Sequence, residues 1–482
     1  MSKHAVVIGA GQGGLSAAIR LRLQGFDVTA LEQHESVGGK ASQINQDGYR
    51  LDPGPSIIIM PEIYREVFRS AGKNPDDYLK FQRLDPITRV YMEGEEAVDF
   101  PADRTAAIDS LRQKSAADAA SLEGIFAVLD KNWEKVQRSV FSRPFEHWFQ
   151  LLNPDLMAFG MAFDVRKPYR EFIDERFSTP LMRAFFYGFP SYSGQTYNKP
   201  APGALTIPYL MLTQGVWWPV GGIGAIPAAF ARLATDIGVR ILTRQRVTSL
   251  IQAGNRIVAV RTEVGDEIPA DVVVSNLDRL ATEQMLGRSV TSQPSFSYFT
   301  IHWGLPPGSA TSTELAHHTL LIPREFAGGF EQLYRHRQFP TPPIVYLNET
   351  AGTDPSTAPP GGKNLFAVIT VPAEEPNIDW HNQAPFVQST LDVMHRFGVQ
   401  IKDAAFQRVQ TPITFRERDG NYRGTLYGVD ESERILGGMF PLTNRDRIGN
   451  LFYSGGSVQP GAGLPMVTIS GQFAADLARK FL

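Results

Sequence analysis

Six residues, Gly9-Ala10-Gly11-Gln12-Gly13-Gly14, stand between the apolar stretch AVVI and the stretch LSAAIRLRLQG. Glu32 closes a second apolar stretch, DVTALE. Together these spell a strand, a phosphate-binding turn, a helix and a second strand. Gly9 permits the tight turn off the first strand, and Gly11 lets the main chain approach a pyrophosphate. Gly14 lets helix and strand pack closely, so the helix N-terminus points its free N–H groups at the phosphates. Glu32 lies 18 residues beyond Gly14, near the spacing at which an acid meets a ribose hydroxyl. An acid there favours an unphosphorylated ribose, so the motif points to FAD or NAD ahead of NADP.

The pair Gly38-Gly39, six residues after the acid, separates those two. NAD enzymes have no general need for a second glycine turn at this point, whereas flavoproteins with two dinucleotide-binding domains place one beside the FAD pyrophosphate. The far end of the chain repeats the grammar. Asn450 to Ser457 reads as a short buried strand entering a glycine turn at Gly455-Gly456, and a helix is predicted from Pro465 onward. Both ends of the chain are therefore expected to meet on one flavin.

With 482 residues, two or three lobes are expected. A 43% hydrophobic and 20% charged composition is that of a globular protein, and a net charge of -3 offers nucleic acid no overall attraction. The absence of cysteine excludes disulfides, thiolate metal sites, cysteine nucleophiles and a thioether-linked flavin. No metal site is expected from the histidines. His317 and His318 are adjacent, which in a strand would send them to opposite faces, and they read as solvated loop residues. No charged leader with an apolar core stands at the N-terminus, so secretion is not expected. No apolar run is long enough and free enough of Pro and Gly to span a bilayer.

Residues 221 to about 278 read as α/β again: a helix GAIPAAFARLATDIG, a strand Val239 to Leu242, a hairpin opening at Val247 with Gly254-Asn255 near its turn, and a strand DVVVSN. The expected architecture is a Rossmann-like α/β FAD-binding domain in three segments, 1–61, 217–278 and 428–482. A discontinuous α+β substrate lobe, 62–216 and 279–427, is inserted between them. That second lobe is rich in Phe, Tyr, Trp and Pro. From Pro200 to Ala231 there is no charged side chain, while prolines at 200, 202, 208, 219 and 227 forbid one long helix. The stretch reads as buried core or as the lining of an apolar tunnel. Upstream, Trp133, Phe141, Phe145, Trp148, Phe149, Phe159, Phe163, Phe185, Phe186 and Phe189 alternate with Lys131, Lys135, Arg143, Arg166, Lys167, Arg170 and Arg183. Aromatic and basic residues together suit a membrane headgroup region.

At this point the chain resembles the bacterial phytoene desaturase type of carotenoid oxidoreductase, within the flavin amine oxidase superfamily. The resemblance covers nearly the whole chain. Gly38-Gly39-Lys40-Ala41-Ser42 and Leu51-Asp52-Pro53-Gly54-Pro55-Ser56 are similar to the family's GGR segment and its turn beside the flavin. Gly215-Val216-Trp217-Trp218-Pro219-Val220-Gly221-Gly222 is similar to GVWYPxGG. Ile301-His302-Trp303-Gly304 and Thr353 to Gly361 resemble segments of the substrate lobe. Gly455 to Met466, with Pro460, Gly461, Gly463 and Pro465, resembles the signature G-x-[ST]-x-H-PGAG-x-P, whose loop lies against the isoalloxazine ring. Three departures stand out. Gln459 replaces a histidine, Lys40 replaces an arginine and loses its bidentate fork, and Phe440 to Asp446 keeps Asn-Arg-Asp without the usual preceding Arg-Pro.

The resemblance implies removal of hydrogen across a C–C bond next to a polyene, with non-covalent FAD as acceptor and quinone or oxygen reoxidising it. The cofactor residues so implied are Gly9, Gly11, Gly13, Gly14, Glu32, Gly38, Gly39, Lys40, Gly54, Pro55, Ser56, Val247, Gly455, Gly456, Pro465 and Met466. Gln459 is the candidate beside the reacting atoms; an amide can orient a water or the substrate but is no base. Arg445 reads as a structural ion pair with Asp446 or a neighbour. The substrate expected is a long apolar carotenoid, phytoene-like or a later hydroxylated intermediate, met at the cytoplasmic face of the inner membrane. Same-fold alternatives are a carotene isomerase, saturase or terminal-methyl oxygenase. Outside that chemistry stand a lipid-escort protein and a soluble amine oxidase.

Overall fold

The computed structural model describes residues 2–164, 166–309, 312–430 and 442–481. Its first sheet is wholly parallel, with strands in the order Leu451–Tyr453, Val272–Ser275, His4–Ile8, Asp27–Leu31 and Arg240–Leu242. The central strand buries Ala5 to Ile8 on both faces, which is why AVVI reads as an unbroken apolar run with no alternation. The helix Gln12–Leu23 follows the glycine turn, and the helix Leu464–Ala478 follows the last strand. These two helices, from opposite ends of the chain, touch closely. A Cβ on Gly471 would stand 2.4 Å from the Gly13 carbonyl oxygen, and Ser16 Oγ donates to the Thr468 carbonyl at 2.7 Å. The hairpin Val247–Ala253 and Arg256–Thr262 is present with its turn at Gly254-Asn255.

The second sheet has seven strands, ordered Phe406–Gln410, Phe296–Leu305, Lys363–Pro372, Val345–Glu349, His318–Ile322, Thr88–Met92 and Val98–Phe100. It is antiparallel except where His318–Ile322 runs parallel to Thr88–Met92. Alternation along its strands sorts two faces. Phe299, Ile301, Trp303, Leu321, Val345, Leu347, Leu365, Ala367, Ile369 and Val371 point one way and form a core with Val393 and Met394 of the helix Ala384–Arg396. Tyr298, Leu320, Tyr346, Val368 and Thr370 point the other way, into a cavity.

The histidine pair corrects the sequence expectation. His317 and His318 are buried, because the second sheet takes in His318 as the first residue of a strand. Their rings pack edge to face with centroids 4.6 Å apart, and His317 also packs on Trp218 at 4.8 Å. Burial disfavours the imidazolium, pulling His317 down to about 3 and His318 well below the usual range.

Half of the aromatic side chains in the upstream alternation are also interior. Trp133, Phe159, Phe163, Phe186 and Phe189 are buried, because they lie on the inward faces of helices such as Ala116–Phe141 and Pro180–Tyr187. The exposed apolar side chains there are Phe149 at 55%, Leu152 at 58%, Met157 at 49% and Met161 at 73%. The side chain of Trp148 lies outside the described residues. No helix among the described residues is long and apolar enough to cross a membrane, and no group of three ligating side chains there could hold a metal ion.

Candidate active site

The parallel sheet places three loops at the carboxyl ends of adjacent strands: Gly9 to Gly13, Asn276 to Asp278, and Ser454 to Ser457. A ligand crevice is expected at that edge of such a sheet. Gly9 takes φ +91°. A Cβ on Gly14 would lie 2.0 Å from the Gly9 carbonyl oxygen, so helix and strand meet more closely than any side chain allows. Gly11 caps the helix Gln12–Leu23. A Cβ there would strike Asn276 Oδ1 at 2.7 Å, and one on Gly13 would strike Asn276 Nδ2 at 2.8 Å. Asn276 Nδ2 donates to the Ser454 carbonyl at 3.0 Å and so ties the second and third loops together. Asn276 was legible in the sequence only as the last residue of DVVVSN.

Glu32 is 4% exposed. One carboxylate oxygen accepts from the Ala10 N–H at 2.9 Å and the other from the His34 N–H at 3.0 Å. Each oxygen keeps a lone pair for a ribose hydroxyl. The Gly38 N–H donates to the Ala10 carbonyl at 2.9 Å, which lays the second glycine turn against the first. Lys40 Nζ donates to the Leu426 carbonyl at 3.3 Å. Burial lowers its pKa, opposed by the carboxylates of Asp419 and Asp278. Asp278 and Asp419, unmarked by any motif, therefore belong to the same polar corner.

A cavity of about 810 Å³ joins these loops to the second sheet. Its wall includes Gly9, Gly11, Gly13, Glu32, Gly38, Gly39, Lys40, Gly54, Pro55, Ser56, Val247, Gly455, Gly456, Gln459, Pro465 and Met466. Gly14 is set behind that wall, as its packing contact requires. Beyond the glycines the lining turns apolar: Val136, Val140, Phe141 and Phe145, then Leu156 and Phe159, then Phe185 and Phe189, then Ile207, Leu210 and Met211. The uncharged stretch thus supplies both core and lining, since Leu205, Leu212 and Trp218 are buried away from the cavity.

Gln459 is buried, and its amide is spent on the main chain of Phe145. Its Oε1 accepts from the Phe145 N–H at 2.7 Å, and its Nε2 donates to the Phe145 carbonyl at 3.1 Å. It clamps the segment that follows the helix Ala116–Phe141 onto the loop Gly455 to Pro465. Arg445 pairs with Glu146 at 3.5 Å rather than with Asp446. Asp446 instead takes a two-pronged contact from Arg288 at 2.7 and 2.8 Å and a hydrogen bond from Tyr453 at 2.6 Å, and these hold its pKa down to about 2 despite burial. Asn444 Nδ2 donates to the Tyr453 and Gln459 carbonyls. Phe440 and Pro441 lie outside the described residues. Two further matched segments meet: Asp354 accepts from the Trp218 indole at 3.1 Å and the Gly221 N–H at 2.7 Å.

The glycine-lined crevice fits a dinucleotide: side-chain-free walls at Gly11 and Gly13, a helix N-terminus beneath them, and a buried carboxylate at ribose distance in sequence. With the apolar chamber attached, it defines a flavin-dependent oxidoreductase. The chain belongs to the family of flavin containing amine oxidoreductases, whose pattern matches residues 13–283. It is 31% identical to the zeta-carotene-forming phytoene desaturase of Myxococcus xanthus, over 98% of this chain and 93% of that protein. It is 29% identical to 4,4'-diapolycopene oxygenase of a Methylomonas species, over 98% of each. Among solved structures, an oxidoreductase from Methanosarcina mazei superposes with a TM-score of 0.66 at 18% identity, covering 98% of this chain and 100% of the other. That likeness is one of fold.

Proposed function

We propose that this protein is an FAD-dependent carotenoid desaturase that removes hydrogen from a C–C bond adjacent to a polyene. The observation that carries the reading is the single cavity running from the dinucleotide loops into an apolar, aromatic chamber. A polyene offers no polar groups along its length, and walls without unpaired polar atoms are what it needs. The similarity to a phytoene desaturase over nearly the full chain supports the same substrate class.

In this reading Gly9, Gly11, Gly13 and the helix behind them hold the pyrophosphate, with Gly38 and Gly39 beside it. Gly14 sets the helix that does so. Glu32 holds the adenosine ribose, and Val247 flanks it. Lys40, the Gly54-Pro55-Ser56 turn and the Gly455 to Met466 loop frame the ring. Without cysteine no thioether link to the flavin can form, and in this reading the cofactor is held non-covalently. Bound FAD supplies an acceptor for the hydrogen removed, and quinone or oxygen then reoxidises it. Gln459, being an amide clamped to Phe145, positions the wall of the chamber. The division into FAD-binding segments 1–61, 217–278 and 428–482 and substrate segments 62–216 and 279–427 rests on strand membership. All strands of the parallel sheet come from the first set and all of the seven-stranded sheet from the second.

The chamber wall also has an outer side. On the helix Pro154–Ala162, Leu156 and Phe159 line the cavity while Met157 and Met161 face outward. With Phe149, Leu152 and the exposed Arg138, Arg143 and Arg166 nearby in sequence, this suits shallow insertion at the headgroup level of the inner membrane from the cytoplasmic side. Incubating purified protein anaerobically with carotenoid-loaded liposomes and a quinone tests the function. Product absorbing at longer wavelength is expected. An unchanged double-bond count would favour the isomerase alternative, and oxygen incorporated only in air would favour a terminal oxygenase such as the Methylomonas relative.

A further inference from the structure

The apolar chamber contains one region that a pure hydrocarbon does not explain. Tyr192, Tyr298, Tyr334, Tyr346 and Tyr427 all reach its wall. Tyr298 and Tyr346 share the inward face of the second sheet, standing opposite Thr370 and Val368 on the strand between them. The Tyr298 and Tyr427 hydroxyls are 2.6 Å apart. The Tyr346 hydroxyl lies 2.6 Å from His318 Nδ1 and 2.9 Å from Ser56 Oγ. The Tyr334 hydroxyl donates to the Tyr187 carbonyl at 3.2 Å.

Tyr192 differs from these. Its hydroxyl has no hydrogen-bond partner among the described residues, and burial alone pushes its ionisation up to about 12. It shares the cavity wall with the other four, and ionising it would raise the pKa of each of them. The cluster also adjoins the cofactor half. Ser56 belongs to the turn after Asp52, and Tyr427 follows the residue whose carbonyl accepts from Lys40. A hydroxyl left unpaired at such a point penalises any ligand that cannot hydrogen-bond to it, whereas phenylalanine would suit a hydrocarbon better.

We propose that the tyrosine cluster receives an oxygen-bearing group of the polyene, a hydroxyl or a carbonyl, with the Tyr192 hydroxyl as its direct partner. The Tyr298-Tyr427 and Tyr346-His318 pairs flank that contact and fix the orientation of their own hydroxyls. This rests on the polyene reading above and narrows it to oxygenated chains, held with the oxygen close to where the two halves of the cavity join.

The test compares an acyclic carotene with its terminally hydroxylated derivative in detergent micelles. Binding is read by quenching of tryptophan fluorescence, and turnover by anaerobic loss of flavin absorbance. The wild-type protein is expected to bind the hydroxylated chain about tenfold more tightly, the worth of roughly one hydrogen bond. Tyr192→Phe, with the flavin spectrum reporting that it is folded, is expected to bring that ratio near one. Tyr298→Phe reduces the ratio by a smaller factor. Equal wild-type affinities, or a preference that survives Tyr192→Phe, would overturn the proposal. In that case bleaching of the flavin by the hydrocarbon leaves the desaturase reading standing. Binding of neither chain would overturn both.

Discussion

The two halves of the cavity are made of different material. On the dinucleotide side the wall is main chain, at Gly9, Gly11, Gly13 and Gly38, with one buried side chain, Glu32, fixed at both oxygens. On the polyene side the wall is side chain: phenyl and aliphatic groups from helices, and a row of tyrosines from a sheet. The first kind of wall leaves little room for an added atom, because a Cβ on Gly11 or Gly13 would strike the Asn276 amide and one on Gly14, behind them, the Gly9 carbonyl. The second tolerates changes of shape better than changes of charge, because its buried histidines and tyrosines are held neutral. The difference teaches where each half is vulnerable.

The largest effect expected is on the first half. Gly14→Ala places a methyl 2.0 Å from the Gly9 carbonyl oxygen, and neither element can move without displacing the loop. Flavin affinity, measured by titrating the apoprotein with FAD, should fall at least about a hundredfold, as the loss of more than one main-chain contact implies. If Gly14→Ala retains a normal flavin content, backbone packing does not govern that half.

The seam between the halves comes next. Asp446 is buried against Arg288 and Tyr453, and Asp446→Ala leaves the guanidinium with Glu283 alone and the Tyr453 hydroxyl without its acceptor. A loss of about 2–3 kcal/mol in chemical unfolding is expected, the worth of hydrogen bonds to a charged group. A loss below about 1 kcal/mol would show the pair to be screened by solvent.

Acid separates the two halves by a different route. His302, His317 and His318 are all buried in or beside the seven-stranded sheet, and burial holds His302 and His317 at about 3 and His318 well below the usual range. The unfolded chain binds protons near pH 6.5 that these folded imidazoles refuse. Their contribution is therefore complete above about pH 6.5 and is lost as pH falls below it, at about 1.4 kcal/mol per group per pH unit. Hydrogen exchange at pH 5 should show the seven-stranded sheet opening before the parallel one. Simultaneous opening, or the reverse order, would contradict this difference between the halves.

The smallest effect concerns the clamp. Gln459→Ala removes two hydrogen bonds to Phe145 without touching the turn Gly9 to Gly14. A rise in KM of roughly threefold to tenfold with little change in kcat is expected. A fall in kcat with KM unchanged would instead place Gln459 among the reacting groups.

The same difference in material explains what could be read from the sequence. A main-chain constraint leaves its mark at fixed spacing, so the turn at Gly9 to Gly14, the acid at Glu32 and the parallel strands at both ends of the chain were all legible. The tyrosine row was not, because Tyr298, Tyr346 and Tyr427 meet only through strand register and a loop return across more than a hundred residues. His317 and His318 read as loop residues since adjacent histidines carry no periodicity; only the pairing of His318 with Asn348 reveals a strand. The aromatic run around Trp133 to Phe189 announced burial but not direction, and its outward side proved to be carried by Phe149, Leu152, Met157 and Met161. Asn276, which fills the space in front of two glycines, had no sequence signature beyond its place at the end of a strand.

The central claim is that both halves serve one reaction in one cavity, and a single anaerobic titration tests it most directly. Holoprotein is mixed with substoichiometric carotenoid while flavin absorbance and polyene absorbance are followed together. One flavin should bleach for each double bond gained, with the polyene band moving to longer wavelength in the same phase. Polyene that binds without bleaching the flavin, or bleaching without any shift of the polyene band, would contradict the account.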